Sequence, residues 1–144
     1  MILDKNLILS DSQAVTASAA STDSIDLGAE GSTGRGVAIA KRLGLEKIPF
    51  LVQVVEAFDN LTSLEIIIET DDDSAFGSAK ELHSETILLA DLVVGRKLSY
   101  NILPTRIRER YLRVRYVVVG TAPTVGQVFA GIVADVDGSL GSDE

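Results

Sequence analysis

Tyr111-Leu112-Arg113-Val114-Arg115-Tyr116-Val117-Val118-Val119 alternates apolar and basic side chains along most of its length. In an extended chain successive side chains point to opposite faces. Leu112, Val114, Tyr116 and Val118 therefore share one face, while Arg113 and Arg115 project from the other. Upstream, Leu64-Glu65-Ile66-Ile67-Ile68-Glu69 repeats the theme, with Leu64, Ile66 and Ile68 on one side and Glu65 and Glu69 on the other. That is the pattern of a half-buried antiparallel strand. Asp71-Asp72-Asp73-Ser74 ends it in a polar turn. Phe50-Leu51-Val52-Gln53-Val54-Val55-Glu56 is a third strand, rich in β-branched residues and entered from Pro49, where no interior ladder bond is lost. Downstream, Gly120 through Gly126 contains Pro123 and reads as a turn, and Gln127 through Ala134 resumes extended structure. The short link predicts that these last two strands pair with each other.

Other segments are less regular. Thr86-Ile87-Leu88-Leu89-Ala90 reads as a short strand, or as a helix beginning at Ser84-Glu85. Val37 through Leu43, stopped by Gly44, is a helix candidate that suits a surface strand equally. Ala14 through Glu30 is rich in small and polar residues and reads as an edge strand and loop, or as a segment able to reach across another surface. A single unit over 1–137, with an extended N-terminal arm, is expected to be followed by a fraying tail over 138–144. Many short apolar strands, glycine-containing turns and few helices predict an all-β chain, a sandwich or a barrel. An antiparallel jelly roll is one solution, and strand patterning does not choose among topologies.

Composition agrees with one core. The chain has 144 residues, 46% apolar and 24% charged, which excludes wholesale disorder. With no cysteine and only His83 as histidine, disulfides, thiolate catalysis and cysteine-ligated metals are excluded. The formal charge of −8 argues against nucleic-acid wrapping. No apolar run approaches the roughly 20 residues of a membrane helix. A soluble, cytoplasmically made protein is expected, with no membrane and no sequence-specific nucleic-acid partner.

No catalytic constellation emerges. Gly31-Ser32-Thr33-Gly34-Arg35-Gly36 lacks the Lys-Ser/Thr pair of a phosphate loop and follows no apolar strand, so a structural loop is the better reading. Asp71, Asp72 and Asp73 with Glu69 have hard oxygen ligands, but the rest of a calcium loop is missing. His83 has no second histidine or nucleophile and is read as a surface or packing residue. Neither a cofactor nor a metal is expected, nor enzyme activity. More informative is the charge distribution: Arg96 to Val119 holds seven basic residues against the single acid Glu109. Arginine forks pair well with carboxylates, which suits registration on a partner, or simply neighbouring acids of the same chain.

Several stretches resemble capsid cement (decoration) proteins of short-tailed phages, of the Bordetella-phage type. They are Met1-Ile2-Leu3-Asp4-Lys5-Asn6-Leu7, Gln13-Ala14-Val15-Thr16, Ser24-Ile25-Asp26-Leu27-Gly28, Leu103-Pro104, Tyr111 through Tyr116 and Gly126 through Val133. Their order and spacing carry the similarity. The resemblance implies a jelly roll on the outer surface of the virion's capsid, bridging neighbouring major capsid proteins after assembly in the host cytoplasm. It also implies a homodimer, with a trimer as the variant known from other decoration families. Two residue sets are expected to touch partners on the strength of local composition: Ile2, Leu3, Leu7 and Ile8 as apolar anchors, and Arg106, Arg108 and Arg110 as registering charges. The competing expectation is a carbohydrate-binding jelly-roll module, which would use exposed aromatics such as Tyr100 or Tyr111.

Overall fold

The structure, a computed structural model, describes residues 3–28, 31–32, 38–39, 47–104 and 107–134. Their strands are β1 (Leu3–Ala14), β2 (Ala19–Ala20), β3 (Ile25–Asp26), β4 (Gly31–Ser32), β5 (Ala38–Ile39), β6 (Phe50–Glu56), β7 (Leu61–Asp71), β8 (Lys80–Leu88), β9 (Tyr111–Gly120) and β10 (Gln127–Val133). A single 3-10 turn, Leu89–Asp91, follows β8. One sheet has the order β1-β10-β6, and the other β2-β9-β7-β8 with β3 also on β9. Every pairing in both sheets is antiparallel. β4 and β5 form a separate antiparallel pair.

The alternating residues explain the layering. Ile66 lies opposite Tyr116 and Ile68 opposite Val114, and directly opposed residues share a face. Leu64, Ile66, Ile68, Leu112, Val114 and Tyr116 are all buried, and they meet Leu9, Phe50, Val52, Val54, Val128 and Ala130 from the other sheet in one core. Two sheets closing on a shared apolar layer make a β-sandwich. Along the free side of β6, isolated bridges join Gln53 to Lys97 and Pro49 to Ile102. Leu98 N–H donates to Val52 O at 3.0 Å and Phe50 N–H to Asn101 O at 2.9 Å, so residues 96–102 cover that edge.

Two expectations are corrected here. β9 and β10 do not pair: β9 lies between β7 and the β2/β3 edge, whereas β10 lies between β1 and β6. Both strands carry core-facing residues that form opposite walls, and the 121–126 link crosses between layers. The N-terminal segment is extended, but it is not a free arm. Leu3 to Ala14 are built into the sheet against β10. The alternatives for Thr86 to Ala90 resolve in sequence, strand to Leu88 and then the 3-10 turn. Ala14 to Asp26 contains the edge strands β2 and β3, as read. Within Val37 to Leu43, Ala38–Ile39 is strand and not helix, being paired with Gly31–Ser32. The rest of that segment, Thr33 to Gly36 of the glycine-rich loop and the tail over 138–144 lie outside the described residues.

Candidate functional site

The sandwich has two ends, and the candidate residues divide between them. At one end are the close of β7 and the start of β9, where the charged groups concentrate. Arg110 Nε and Nη2 donate to the two carboxylate oxygens of Asp26 at 2.8 and 2.7 Å, tying the β3 edge to β9. Hydrogen bonding to Asp26 raises the Arg110 pKa further. Arg113 Nε donates to Glu69 Oε1 at 2.5 Å and Arg115 Nε to Glu69 Oε2 at 3.1 Å. Glu69 was assigned to the face away from the core, and its side chain is nevertheless only 4% exposed. The two arginines from β9 flank it, and the Arg113 guanidinium also stacks on Phe76 at 4.0 Å. Lys80 pairs with Glu109, and Arg96 lies 3.9 Å from Glu85. Much of the basic stretch thus meets acids of its own chain. Of the three registering arginines, Arg110 is engaged with Asp26, Arg108 is exposed, and Arg106 lies outside the described residues.

The apolar set does not converge either. Leu7 packs against the main core. Its neighbour Ile8 points the other way, onto a separate cluster of Leu51, Phe129 and Val133. Gly131 leaves room for that arrangement, since a Cβ there would sit 2.9 Å from Leu7 O. Leu3 is registered opposite Val133, and Ile2 lies outside the described residues. Ile8 also borders an open groove of about 320 Å³ with Lys5, Asn6, Asp11, Asp23 and Ser24.

A polar link joins the layers above the core. Ser10 Oγ and Tyr116 OH lie 2.8 Å apart, and the Ser10 hydroxyl donates to Gln13 Oε1 at 2.7 Å. Gln13 Nε2 donates to Ala20 O at 2.8 Å and its Oε1 accepts from Thr22 N–H at 2.9 Å, fastening the β2 edge. Burial pushes the Tyr116 pKa up. Elsewhere His83 stacks on Tyr100 at 4.4 Å, the packing alternative of the two roles read for it. Tyr111 is engaged by Arg110 and Phe76, so neither tyrosine stands as a free stacking platform. Asp71 accepts from Asp73 N–H and Ser78 N–H, closing the polar turn. Among the described residues no cluster of His, Asp or Glu has the makings of a metal site.

The opposite end was not anticipated. Val55, Leu88, Val93, Val94, Val119 and Val125 are the exposed large hydrophobic residues among those described, from 40% exposure for Val55 to 67% for Val94. All six sit where β6, β8 and β9 finish or in the loops beyond. Leu88 and Val119 flank Ser63 in one cross-strand row. Gly95 N–H donates to Val54 O at 2.9 Å, which brings the turn carrying Val93 and Val94 against the end of β6. Asp59 organises the neighbouring β9–β10 turn, accepting from Thr124 N–H at 2.6 Å, from the Thr124 hydroxyl and from Val125 N–H at 3.2 Å. Those bonds, led by the Thr124 hydroxyl, lower the Asp59 pKa. Gly126, at φ +139°, passes so close to Phe58 that any Cβ would enter the ring.

Fold and surface together define a two-layer antiparallel β-sandwich protein with its ion pairs gathered toward one end and exposed apolar residues toward the other. The family model Bbp16 matches residues 9–132, from β1 through β10, and the chain belongs to the Bbp16 family. No curated protein matches it.

Proposed function

We propose that this chain is a phage capsid cement protein, bound outside the head and bridging neighbouring major capsid proteins to stabilise the shell. The observation that carries the reading is membership of the Bbp16 family over residues 9–132, a family whose name points to a Bordetella phage. The motifs similar to cement proteins fall inside the same span, apart from the opening residues and Val133. We read the strand order, with residues 96–102 as an eighth lane, as the jelly roll that the resemblance implies. Such a sandwich suits the task mechanically. A tightly packed core transmits load without yielding, and many modest contacts made by one rigid body resist separation through high effective concentration. Repetition over a symmetric shell multiplies each contact. The protein acts as a homodimer, with a trimer as the variant, and works without cofactor or catalysis.

The test is to mix purified protein with undecorated expanded shells and to measure occupancy together with thermal rupture. Saturable occupancy with a raised rupture temperature is the expected result. Occupancy without a rise rejects cementing, and no occupancy rejects capsid binding.

A further inference from the structure

The lateral edges of the two sheets are treated unequally. Beside β1, Asp23 N–H donates to Leu9 O at 2.9 Å, and residues 96–102 bond along β6. The edge on β9 is divided between β2 and β3, of two residues each. β8 is different. It runs for nine residues and pairs with β7, and among the described residues no other backbone bond reaches it. Such a strand presents a row of N–H and C=O groups that can template another strand, and natural edges are blunted by lysine, proline, bulges or inward-facing charge. On β8 the lysine and the bulge lie at its start, at Lys80 and in the register shift between Glu81 and His83. From His83 to Leu88 the register against Ile68 to Ser63 is unbroken, and the stretch contains no Pro, Gly or Lys. Glu85 does face inward, opposite Ile66, but it is already held, accepting from the Ser99 N–H and hydroxyl at 2.9 Å each. His83 is pinned by its stack on Tyr100. An edge ordered in this way loses little conformational entropy on pairing.

From this contrast we infer that β8 is the seam between two copies of the chain, paired antiparallel about a two-fold axis at Thr86, so that the larger sheet runs on from one copy into the other. The inference rests on the homodimer in the reading above and assigns the edge that joins it. Self-complementarity selects a second copy and fixes the register. A two-fold contact sets the same strand against itself, and opposed residues share a face, so the axis passes through one residue of β8. Centring it on His83 or Ser84 draws the bulge at Leu82 into the seam. Glu85 as the centre would oppose that carboxylate to its own copy, and like charges directly opposed are unfavourable. An axis at Ile87 runs the seam into the 3-10 turn at Leu89–Asp91. Thr86 escapes all three conflicts. It meets its own copy, a pair that favours cross-strand contact, and Leu88, 59% exposed, lies against the partner's small Ser84, with the reciprocal contact across the axis. Glu85 lies opposite the partner's Ile87 and needs nothing from it. The charge of −8 on each chain opposes the approach, but repulsion beyond about 8 Å is largely screened at physiological ionic strength.

The chain contains no cysteine, so a single introduced thiol reports on its own position. At the axis the two Thr86 Cα atoms would lie about 4.5–5.5 Å apart, within reach of a disulfide. Those of Ser84, two residues from the axis in each copy, would be displaced by about 13 Å along the strands. The test oxidises Thr86→Cys and Ser84→Cys, and follows wild type and Thr86→Lys by sedimentation, each variant first checked for an unchanged melting curve. Wild type is expected to sediment as a dimer, Thr86→Cys to link into a covalent dimer and Ser84→Cys to stay unlinked. Thr86→Lys, which opposes two ammonium groups, is expected to weaken dimerisation at least tenfold. A wild-type dimer in which Thr86→Cys stays unlinked has its contact elsewhere, which overturns the seam and leaves the homodimer standing. Linkage at Ser84→Cys in place of Thr86→Cys overturns the register and the inference with it. A monomeric wild type overturns the inference too, and loss of shell occupancy by Thr86→Lys in that case assigns the edge to a strand of the shell. Linkage at Thr86→Cys together with failure of the wild-type dimer to load undecorated expanded shells rejects the cement reading and supports the seam.

Discussion

The two ends of the sandwich handle their surplus groups in opposite ways. At the end holding Arg110 and Glu69, charge is matched within the chain: Arg110 with Asp26, Arg113 and Arg115 with Glu69, Lys80 with Glu109. At the other end the apolar side chains of Val93, Val94 and Leu88 are left in solvent, although the loops beneath them are well bonded. An ion-paired group needs no further partner, because its desolvation is already offset. An exposed valine gains free energy from any apolar surface that covers it, about 25 cal/mol for each Å² removed from water. The residues that looked most functional by charge therefore hold the fold together, and those that looked unremarkable are available for contact.

The largest expected effect tests whether the charged end is glue. Glu69→Ala removes the buried carboxylate to which Arg113 and Arg115 donate, and should lower unfolding free energy by about 3 kcal/mol, since two charge-assisted hydrogen bonds of about 1.5 kcal/mol each are lost. Reversible denaturant unfolding measures it. A loss no larger than that of an ordinary surface substitution would mean that the Arg113–Glu69–Arg115 cluster does not hold β7 to β9. At the opposite end, Gly126→Ala forces a side chain into a left-handed backbone position and into Phe58, and should cost about 2 kcal/mol. Between the ends, Tyr116→Phe removes the hydroxyl that meets Ser10 across the layers and should cost about 1 kcal/mol. It should also weaken the alkaline limb. The folded-state pKa of Tyr116 is raised by burial, so its contribution is complete below its ordinary value near 10 and is lost as pH climbs toward the folded value.

The strands themselves were legible because alternation is a local signal. Phe50–Glu56 was bounded to the residue, and the faces of β7 and β9 read correctly from periodicity. What alternation does not encode is the partner. β9 and β10 are adjacent in sequence, yet each supplies a different wall of one core, which the 121–126 link alone does not reveal. Nor does it encode depth. Glu69 falls on the face away from the core, and only the register opposite Arg113 shows why it is buried. Arg110 finds Asp26 84 positions away. The apolar end was least legible of all, because Val55, Leu88, Val93–Val94, Val119 and Val125 are scattered through turns and strand ends, and only the topology brings them to one end.

Acid titration separates the ends by one carboxylate each. Asp59 is lowered chiefly by the Thr124 hydroxyl, and Asp71 chiefly by the Asp73 backbone N–H. A carboxylate with a depressed folded pKa contributes stability above its ordinary value near 3.8, and loses it as pH falls through the folded value. Melting temperature should therefore be level at mild acidity and drop below about pH 4. Asp59→Asn and Asp71→Asn should each flatten that drop. If Asp59→Asn also weakens shell binding while Asp71→Asn does not, the turn that Asp59 holds takes part in that binding and the comparison gains a second marker.

The smallest expected stability change is the most informative about the contrast. Val93→Asp and Val94→Asp, singly, should alter unfolding free energy by no more than about 0.5 kcal/mol, the range of surface substitutions that leave no cavity and bury no charge. Denaturant midpoints would check this, with Glu69→Ala as the internal scale. The prediction has teeth because a valine packed within the chain answers differently: an aspartate at a buried position would carry a desolvation cost of several kcal/mol, as large as that of a core substitution. A large loss for either variant would place these valines in the chain's own packing, and the two ends would then differ in residue type but not in availability. A negligible loss leaves Val93 and Val94 with no part in holding the fold, so any defect of these variants in binding must arise at the surface they expose.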